Sequence, residues 1–161
     1  MNVTYCEKWF RYKKRPTDLM DEDRARKAHD GRLLYTIVLG DLRSPECFVE
    51  INNDYVGVGF LDDHAREYLS YSFEETRTGR LFLTMATHRT FDGQTDKVVS
   101  GTTYYFKEDG VVTIENENLL SGSKSEGKIQ ADISGNWEEY PKFGQYTAVT
   151  QINRQGTALI H

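Results

Sequence analysis

From Leu33 to residue 134, the chain alternates short apolar stretches with clusters of small and acidic residues. The stretches are rich in Val, Ile, Tyr, Phe and Thr, and the clusters include Asp62-Asp63-His64 and Glu108-Asp109-Gly110. This pattern is typical of β-strands joined by tight turns. It predicts strands near residues 33–39, 46–52, 55–61, 66–74, 80–90, 98–106, 111–117 and 127–134.

The spacing of apolar positions also predicts how these strands pair. With a turn at residues 53–54, Val49 lies opposite Val58, and four further turns continue the same apolar face to Val112. We expect Leu83 and Met85 to be buried on this face. The opposite face is rich in hydroxyl and aromatic groups and consists of Glu50, Gly57, Gly59, Tyr68, Ser70, Ser72, Phe82, Thr84, Ala86, His88, Ser100, Thr102, Tyr104, Phe106, Thr113 and Glu115.

This register separates two polar neighbours in the strand at 80–90. His88 lies on the hydroxyl-rich face near Ser100, whereas Arg89 lies at the end of the apolar face, so the two residues share no site. Gly57 and Gly59 leave part of the hydroxyl-rich face without side chains. We expect the sheet to bend there, or an aromatic ring to lie across the glycines.

The other elements complete a single, mainly β domain spanning residues 1–161. Residues 18–29 predict a surface helix, because acidic residues precede basic ones and Asp30-Gly31 follows. Its only large apolar side chains are Leu19 and Met20, so it cannot cover the whole sheet. An antiparallel up-and-down meander of about eight strands is therefore expected to curl into a barrel or half-barrel. The aromatic segment 135–150 supplies a C-terminal cover.

Charge is distributed unevenly along the chain. The formal net charge is −5, but residues 1–15 carry five cations against Glu7 alone, so this segment has a charge of +4 and the remainder −9. An acidic body argues against duplex-DNA binding and favours a basic partner. The basic and aromatic segment 8–15 has two interpretations: a nucleic-acid or lipid-headgroup contact, or a first strand with solvated cations beside the acidic helix.

Two further features bear on the cellular compartment. The N-terminus has no uninterrupted apolar region, and no segment reaches the roughly 20 apolar residues that a membrane helix needs. We therefore expect a cytoplasmic protein with no membrane partner. Cys6 and Cys47 match neither a metal site nor a disulfide framework, so both are expected to be reduced thiols, with Cys47 in the core.

The sequence contains no glycine-rich phosphate loop, nucleophile elbow or paired-histidine metal signature. Asp62-Asp63-His64 has the residue types of a divalent-ion site, but it is more typical of a hairpin turn. No second titratable group is predicted beside His88, so general acid–base chemistry there lacks a partner. The sequence thus points away from an enzyme and predicts neither a metal nor a cofactor.

Binding is the remaining class of function. The predicted binding residues are Tyr68, Phe82, Tyr104, His88, Glu50 and Glu115, because tyrosine-rich sheet faces resemble interface cores. Our leading hypothesis is a protein-binding module. Its most specific version is a bacterial immunity or inhibitor protein that uses its own surface to recognise a basic toxin. The alternatives are a carrier whose barrel cavity holds a lipophilic small molecule, and a cofactor-free enzyme that uses that cavity.

Overall fold

The computed structural model describes residues 1–154. Within them, eleven strands form one antiparallel sheet, and one α-helix lies near the N-terminus. The elements are β1 (Val3–Phe10), β2 (Arg15–Met20), α1 (Glu22–Asp30), β3 (Tyr35–Asp41), β4 (Ser44–Asn52), β5 (Tyr55–Leu61), β6 (Glu67–Glu75), β7 (Arg80–Phe91), β8 (Val98–Phe106), β9 (Val111–Asn118), β10 (Ser123–Gln130) and β11 (Trp137–Glu139).

The predicted antiparallel meander is confirmed, and the closed barrel is wrong. Strands β3 to β10 pair in chain order, β1 and β2 extend the sheet beyond β3, and β11 pairs with β7. The edges β2 and β10 are not joined, so the sheet is open. β3 to β10 correspond to the eight predicted strands, whereas β2 and β11 were not predicted. β10 begins four residues before its predicted start, because it is exposed along its whole length and carries no apolar alternation.

The helix is confirmed, but it begins at Glu22 rather than at residue 18. Residues 15–20 instead pair with β1, where Leu19 lies opposite Cys6. The Asp21 side chain accepts a hydrogen bond from the backbone N–H of Arg24 at 2.8 Å, which caps the first turn. The strand thus runs almost directly into the helix.

The sheet stays open because other parts of the chain cover its apolar face. We call the face that carries Val49, Val58 and Tyr71 the covered face. Its buried side chains pack against α1 and against the segment after β10, so the face does not need to meet itself. The residues of this segment in the same core are Ala131, Ile133, Trp137, Tyr140, Phe143, Tyr146, Val149 and Ile152.

The predicted register holds for one hairpin and fails progressively along the chain. Val49 lies opposite Val58 as predicted, but Val58 lies opposite Tyr71 rather than Leu69, a shift of two residues that keeps the same face. In β7, a bulge separates the pair Phe73–Leu83 from the next pairs along the strand. Because side chains alternate, this one extra residue exchanges the two faces for the rest of β7.

Because of the bulge in β7, several residues differ from their predicted burial or face. Leu83 is fully buried, as predicted, but Met85 is only half-buried and lies on the opposite face. Beyond the bulge, the covered face continues through side chains that had been assigned to the hydroxyl-rich face. These side chains are Ala86, His88, Tyr104 and Phe106, and they are followed on β9 by Val112 and Ile114.

Three hydrogen-bonded side chains connect α1 and the C-terminal segment to the sheet. His29 Nδ1 lies 2.8 Å from Tyr35 Oη, which lies 3.1 Å from Tyr146 Oη. Burial lowers the pKa of His29 from its ordinary value of 6.5; the Asp30 carboxylate opposes this shift, and Arg32 and Arg26 add to it. The neutral imidazole is therefore the form that the folded protein favours.

We expect acidification to weaken the fold through His29. The folded state binds the His29 proton more weakly than the unfolded chain, so this contribution to stability is complete above pH 6.5 and is lost as the pH falls through the lowered pKa. Urea melts between about pH 7.5 and pH 5 measure the slope. His29→Gln, which does not titrate there, should flatten it. An unchanged slope in this variant would show that His29 is not the responsible group.

Candidate functional site

The face opposite the covered face lies under the hairpin formed by β1 and β2. We call it the groove face. The Phe48 ring lies against Gly59, where a Cβ atom would overlap it. Trp9 stacks on Phe48 with ring centroids 5.9 Å apart, and the guanidinium carbon of Arg11 lies 4.9 Å from the ring centroid. The expectation that a ring lies across the glycines is confirmed at Gly59, and this stack holds the hairpin over the sheet.

Adding a methyl group at Gly59 should displace this stack. We expect Gly59→Ala to lower the free energy of unfolding by about 1–3 kcal/mol, as other overpacking substitutions do. Gly127→Ala is the matched control, because a Cβ at this strand glycine would have no neighbour within 4 Å. The control should change stability by less than about 0.5 kcal/mol in urea melts. Equal effects of the two substitutions would contradict the close contact at Gly59.

The tip of the hairpin closes one end of the groove face. Lys14 Nζ donates to the backbone oxygen of His64 and to Asp96 Oδ1, each at 2.7 Å. It thereby connects the turn between β1 and β2 with the turns that follow β5 and β7. Arg11 Nε donates to Glu67 Oε2 at 3.0 Å from the other side of the tip.

A cavity of about 510 Å³ lies beneath the hairpin tip. A second cavity, of about 170 Å³, adjoins it, since Arg11, Glu67 and Arg89 line both. We call the larger cavity the hairpin groove. It is lined by Trp9, Arg11, Tyr12, Lys14, Leu61, Ala65, Arg66, Glu67, Arg89, Phe91, Asp96 and Val98.

The hairpin groove combines apolar walls with an excess of positive charge. Trp9, Tyr12 and Phe91 supply aromatic surface, and the guanidinium carbon of Arg66 lies 4.6 Å from the centroid of the Phe91 ring. The lining residues include four cations and two carboxylates, a sum of +2 in a protein of net charge −5, and Asp62 pairs with Arg66 from outside the lining. Cations beside apolar walls can bind an acidic group that carries an apolar body.

Two of the predicted binding residues meet on the covered face. Tyr68 packs edge-on against His88 with ring centroids 6.3 Å apart. Both were assigned to the hydroxyl-rich face, and this assignment is wrong because of the bulges in β6 and β7. Tyr68 lines a separate cavity of about 440 Å³ whose charged lining residues are all acidic, namely Glu46, Asp62 and Asp63.

Phe82 and Tyr104, also predicted as binding residues, are buried. Phe82 is 2% exposed, with its ring centroid 4.8 Å from that of Trp137. Tyr104 is 5% exposed and stacks on Phe106 in the main core. Neither side chain is available for a surface contact in this conformation. We expect truncation of either side chain to lower the free energy of unfolding before it affects binding.

The two predicted acidic residues lie on the groove face, far apart across the strands. Glu50 on β4 lies 3.5 Å from Arg11 Nη2, at the margin of the smaller cavity. Glu115 lies on β9, opposite Thr103 on one side and Glu126 on the other. The structure therefore does not bring the six predicted residues into one site.

None of the residues that line the hairpin groove was among the six predicted binding residues. Arg89 had been assigned to the apolar face, and Arg66, Glu67 and Phe91 were not considered. One signal was present, since the basic and aromatic segment 8–15 contributes Trp9, Arg11, Tyr12 and Lys14 to the groove. Residues 3–10 form the first strand, but the cations that follow it do not pair with α1. Arg11 and Lys14 pair instead with Glu67 and Asp96.

Several other expectations concern chemistry. The Asp62 side chain accepts hydrogen bonds from the backbone N–H groups of His64 and Arg66, as expected for a turn. Cys6 and Cys47 are free and buried, and burial raises their pKa values to about 11 and about 12. Within the part of the chain that the structure describes, no three His, Cys, Asp or Glu side chains are grouped so as to hold a metal ion.

The helix found within residues 1–154 lacks the length and apolar character needed to cross a bilayer. No protein-family model, characterised protein or solved structure matches the chain.

Proposed function

We propose that the protein is a binding protein whose small-molecule ligand occupies the hairpin groove. The observation that carries this proposal is a cavity of about 510 Å³ that joins aromatic walls to an excess of cations in an acidic protein. Small-molecule sites are commonly clefts of about 300–1,000 Å³ with apolar walls and a few polar groups that orient the ligand. The proposal keeps the carrier alternative but moves its ligand from a barrel interior to the groove face.

The position of the hairpin supports a small ligand rather than a large partner. Trp9 lies on the side of the hairpin that faces the sheet and is 3% exposed. Lys14 closes the end of the groove through hydrogen bonds to two turns. A molecule in the groove would lie between hairpin and sheet, which removes part of its surface from water. Removal of apolar surface from water favours binding of an apolar body.

A fluorescent probe tests this proposal. N-phenyl-1-naphthylamine is an uncharged aromatic compound that fluoresces strongly once it leaves water. We expect it to bind in a saturable manner with one site per chain. Val98→Trp, which adds bulk to a residue that lines the groove, should abolish this binding.

The control adds the same bulk away from the groove. Leu120 is 68% exposed in the turn between β9 and β10, so Leu120→Trp should bind the probe as the wild type does. Circular dichroism of both variants verifies that the sheet is retained. Absence of saturable binding to the wild type, or equal binding by Val98→Trp, would overturn the proposal.

Recognition of a basic protein, as by an immunity or inhibitor protein, is a second candidate that another observation favours. Glu115 and Glu126 lie directly opposite each other on β9 and β10, beside Tyr105, which is 41% exposed. Like charges in such a pair are destabilising, and a basic partner would relieve this repulsion. Outside the hairpin groove, with its charge of +2, the rest of the chain carries −7.

This second candidate has a test of its own. A native pull-down from the source cell, read by mass spectrometry, should retain a basic protein on the wild type. The double variant Glu115→Gln/Glu126→Gln should lose that protein. A control with the same change of charge, Glu7→Gln/Glu46→Gln, should retain it, because both residues are exposed and lie on other strands. Equal retention by both double variants would contradict a role for the acidic pair.

A further inference from the structure

Arg89 differs from the other three cations of the hairpin groove in having no carboxylate partner among the residues that the structure describes. It donates from Nη1 to the Ser70 hydroxyl at 3.3 Å, and no carboxylate oxygen among residues 1–154 lies within 4.0 Å of its guanidinium. The other cations are neutralised locally. Their pairs are Arg11–Glu67 at 3.0 Å, Lys14–Asp96 at 2.7 Å and Arg66–Asp62 at 2.8 Å.

The surroundings of Arg89 leave room for a ligand group. The residue opposite it on β8 is Gly101, which presents no side chain. Thr87, two positions earlier on β7, presents a hydroxyl to the same face. Arg89 lines both cavities of the groove face, so a group bound to its guanidinium also reaches the larger cavity.

The charge state of Arg89 restricts what this group can be. A guanidinium stays protonated at every physiological pH and has five N–H donors, whereas Ser70 accepts only one hydrogen bond from it. A half-buried cation without a counterion is unfavourable, and an anionic ligand group would replace the missing carboxylate. The apolar walls at Trp9 and Phe91 then contact the remainder of the ligand.

We infer that Arg89 is the anion-binding residue of the hairpin groove. The ligand class is a small amphiphile with one acidic group, a carboxylate, sulfonate or phosphate, attached to an aromatic or otherwise apolar body. The acidic group binds the Arg89 guanidinium beside the Ser70 hydroxyl, and the body lies against the aromatic walls beneath the hairpin. This inference rests on the proposed function of the groove and adds the charge of its ligand.

Two probes that differ only in the acidic group test the inference. 1-Anilinonaphthalene-8-sulfonate has the skeleton of N-phenyl-1-naphthylamine with a sulfonate added. We expect the wild type to bind the sulfonate at least about tenfold more tightly, which is the scale of one charge-assisted hydrogen bond. Arg89→Met should reduce this preference to about twofold or less, and the ratio of the two affinities in each variant is the quantity compared.

Further variants separate the role of Arg89 from net charge and folding. Arg77→Met makes the same change at an exposed arginine in the turn between β6 and β7 and should keep the preference. Arg89→Lys should restore part of it, because the charge is kept while the forked geometry is lost. Should Arg89→Met not fold, the wild type still gives an answer. Added salt should then weaken binding of the sulfonate probe and leave that of the uncharged probe unchanged.

The outcomes distinguish the inference from the proposed function. Binding of the uncharged probe with no preference for the sulfonate, or an equal preference in the wild type and Arg89→Met, overturns the role of Arg89 while the groove remains a binding site. Absence of binding by either probe overturns the proposed function itself. A preference that is lost in Arg89→Met and kept in Arg77→Met supports both.

Discussion

Replacing Arg154 by leucine is expected to lower the free energy of unfolding by about 3–5 kcal/mol, as when one partner of a buried ion pair is removed. The Arg154 side chain is 6% exposed, and its Nη2 lies 2.9 Å from Glu138 Oε2. It also donates to the backbone oxygens of Gly135 at 2.8 Å and Ala148 at 3.0 Å. Leucine satisfies none of these acceptors, so the C-terminal segment loses its attachment to β11.

Arg80→Leu is the matched control for this prediction. Arg80 pairs with Glu139, the neighbour of Glu138, at the same 2.9 Å, but its side chain is 46% exposed and that of Glu139 is 74% exposed. An exposed ion pair contributes about 0–1 kcal/mol. Urea melts of both variants should therefore differ by at least about 2 kcal/mol. Similar losses would contradict the attachment of the C-terminal segment through Arg154.

Leu83→Ala is expected to cost about 2–5 kcal/mol, the range for truncating a large aliphatic side chain in a core. Leu83 is fully buried opposite Phe73, directly before the bulge in β7. Its backbone oxygen accepts a hydrogen bond at 3.0 Å from Asn136 Nδ2, in the turn before β11. The neighbouring backbone is therefore held in place and does not collapse readily into the cavity that alanine leaves.

Met85→Ala tests the bulge itself. A β7 without a bulge would bury Leu83 and Met85 on one face, and the two truncations would then cost similar amounts. With the bulge, Met85 is half-buried on the groove face, and we expect its truncation to cost less than about 1.5 kcal/mol. Equal losses in urea melts would mean that the register of β7 is wrong.

The sequence predicted local features of the fold well because they depend on neighbouring residues. The alternation of residues 55–61 defines β5 to the residue, and the turn at Asn53-Asp54 defines its register with β4. The bulges were not predicted, because the extra residue that makes a bulge does not interrupt the sequence pattern of its strand. Thr84, the residue passed over in β7, does not differ from the other threonines of the predicted strands. One such residue was enough to exchange His88 and Arg89 between the faces.

The candidate site escaped prediction for a related reason. It depends on contacts between distant parts of the chain, such as Lys14 with Asp96, which are 82 positions apart. The local pattern indicates that residues 8–15 are basic and aromatic, but not which acids they pair with. Nor does it reveal that the hairpin crosses the sheet, because that path depends on the Phe48 ring lying against Gly59.

The measurement that tests the groove most directly uses the two tryptophans of the chain. Trp9 lines the groove, whereas Trp137 packs against Phe82 in the main core. A ¹H–¹⁵N correlation spectrum of uniformly labelled protein contains one indole N–H signal for each, and Trp137→Phe assigns them. On titration with 1-anilinonaphthalene-8-sulfonate, we predict a saturable shift of the Trp9 signal and an unmoved Trp137 signal. A shift of the Trp137 signal with the Trp9 signal unmoved would contradict ligand binding beneath the hairpin.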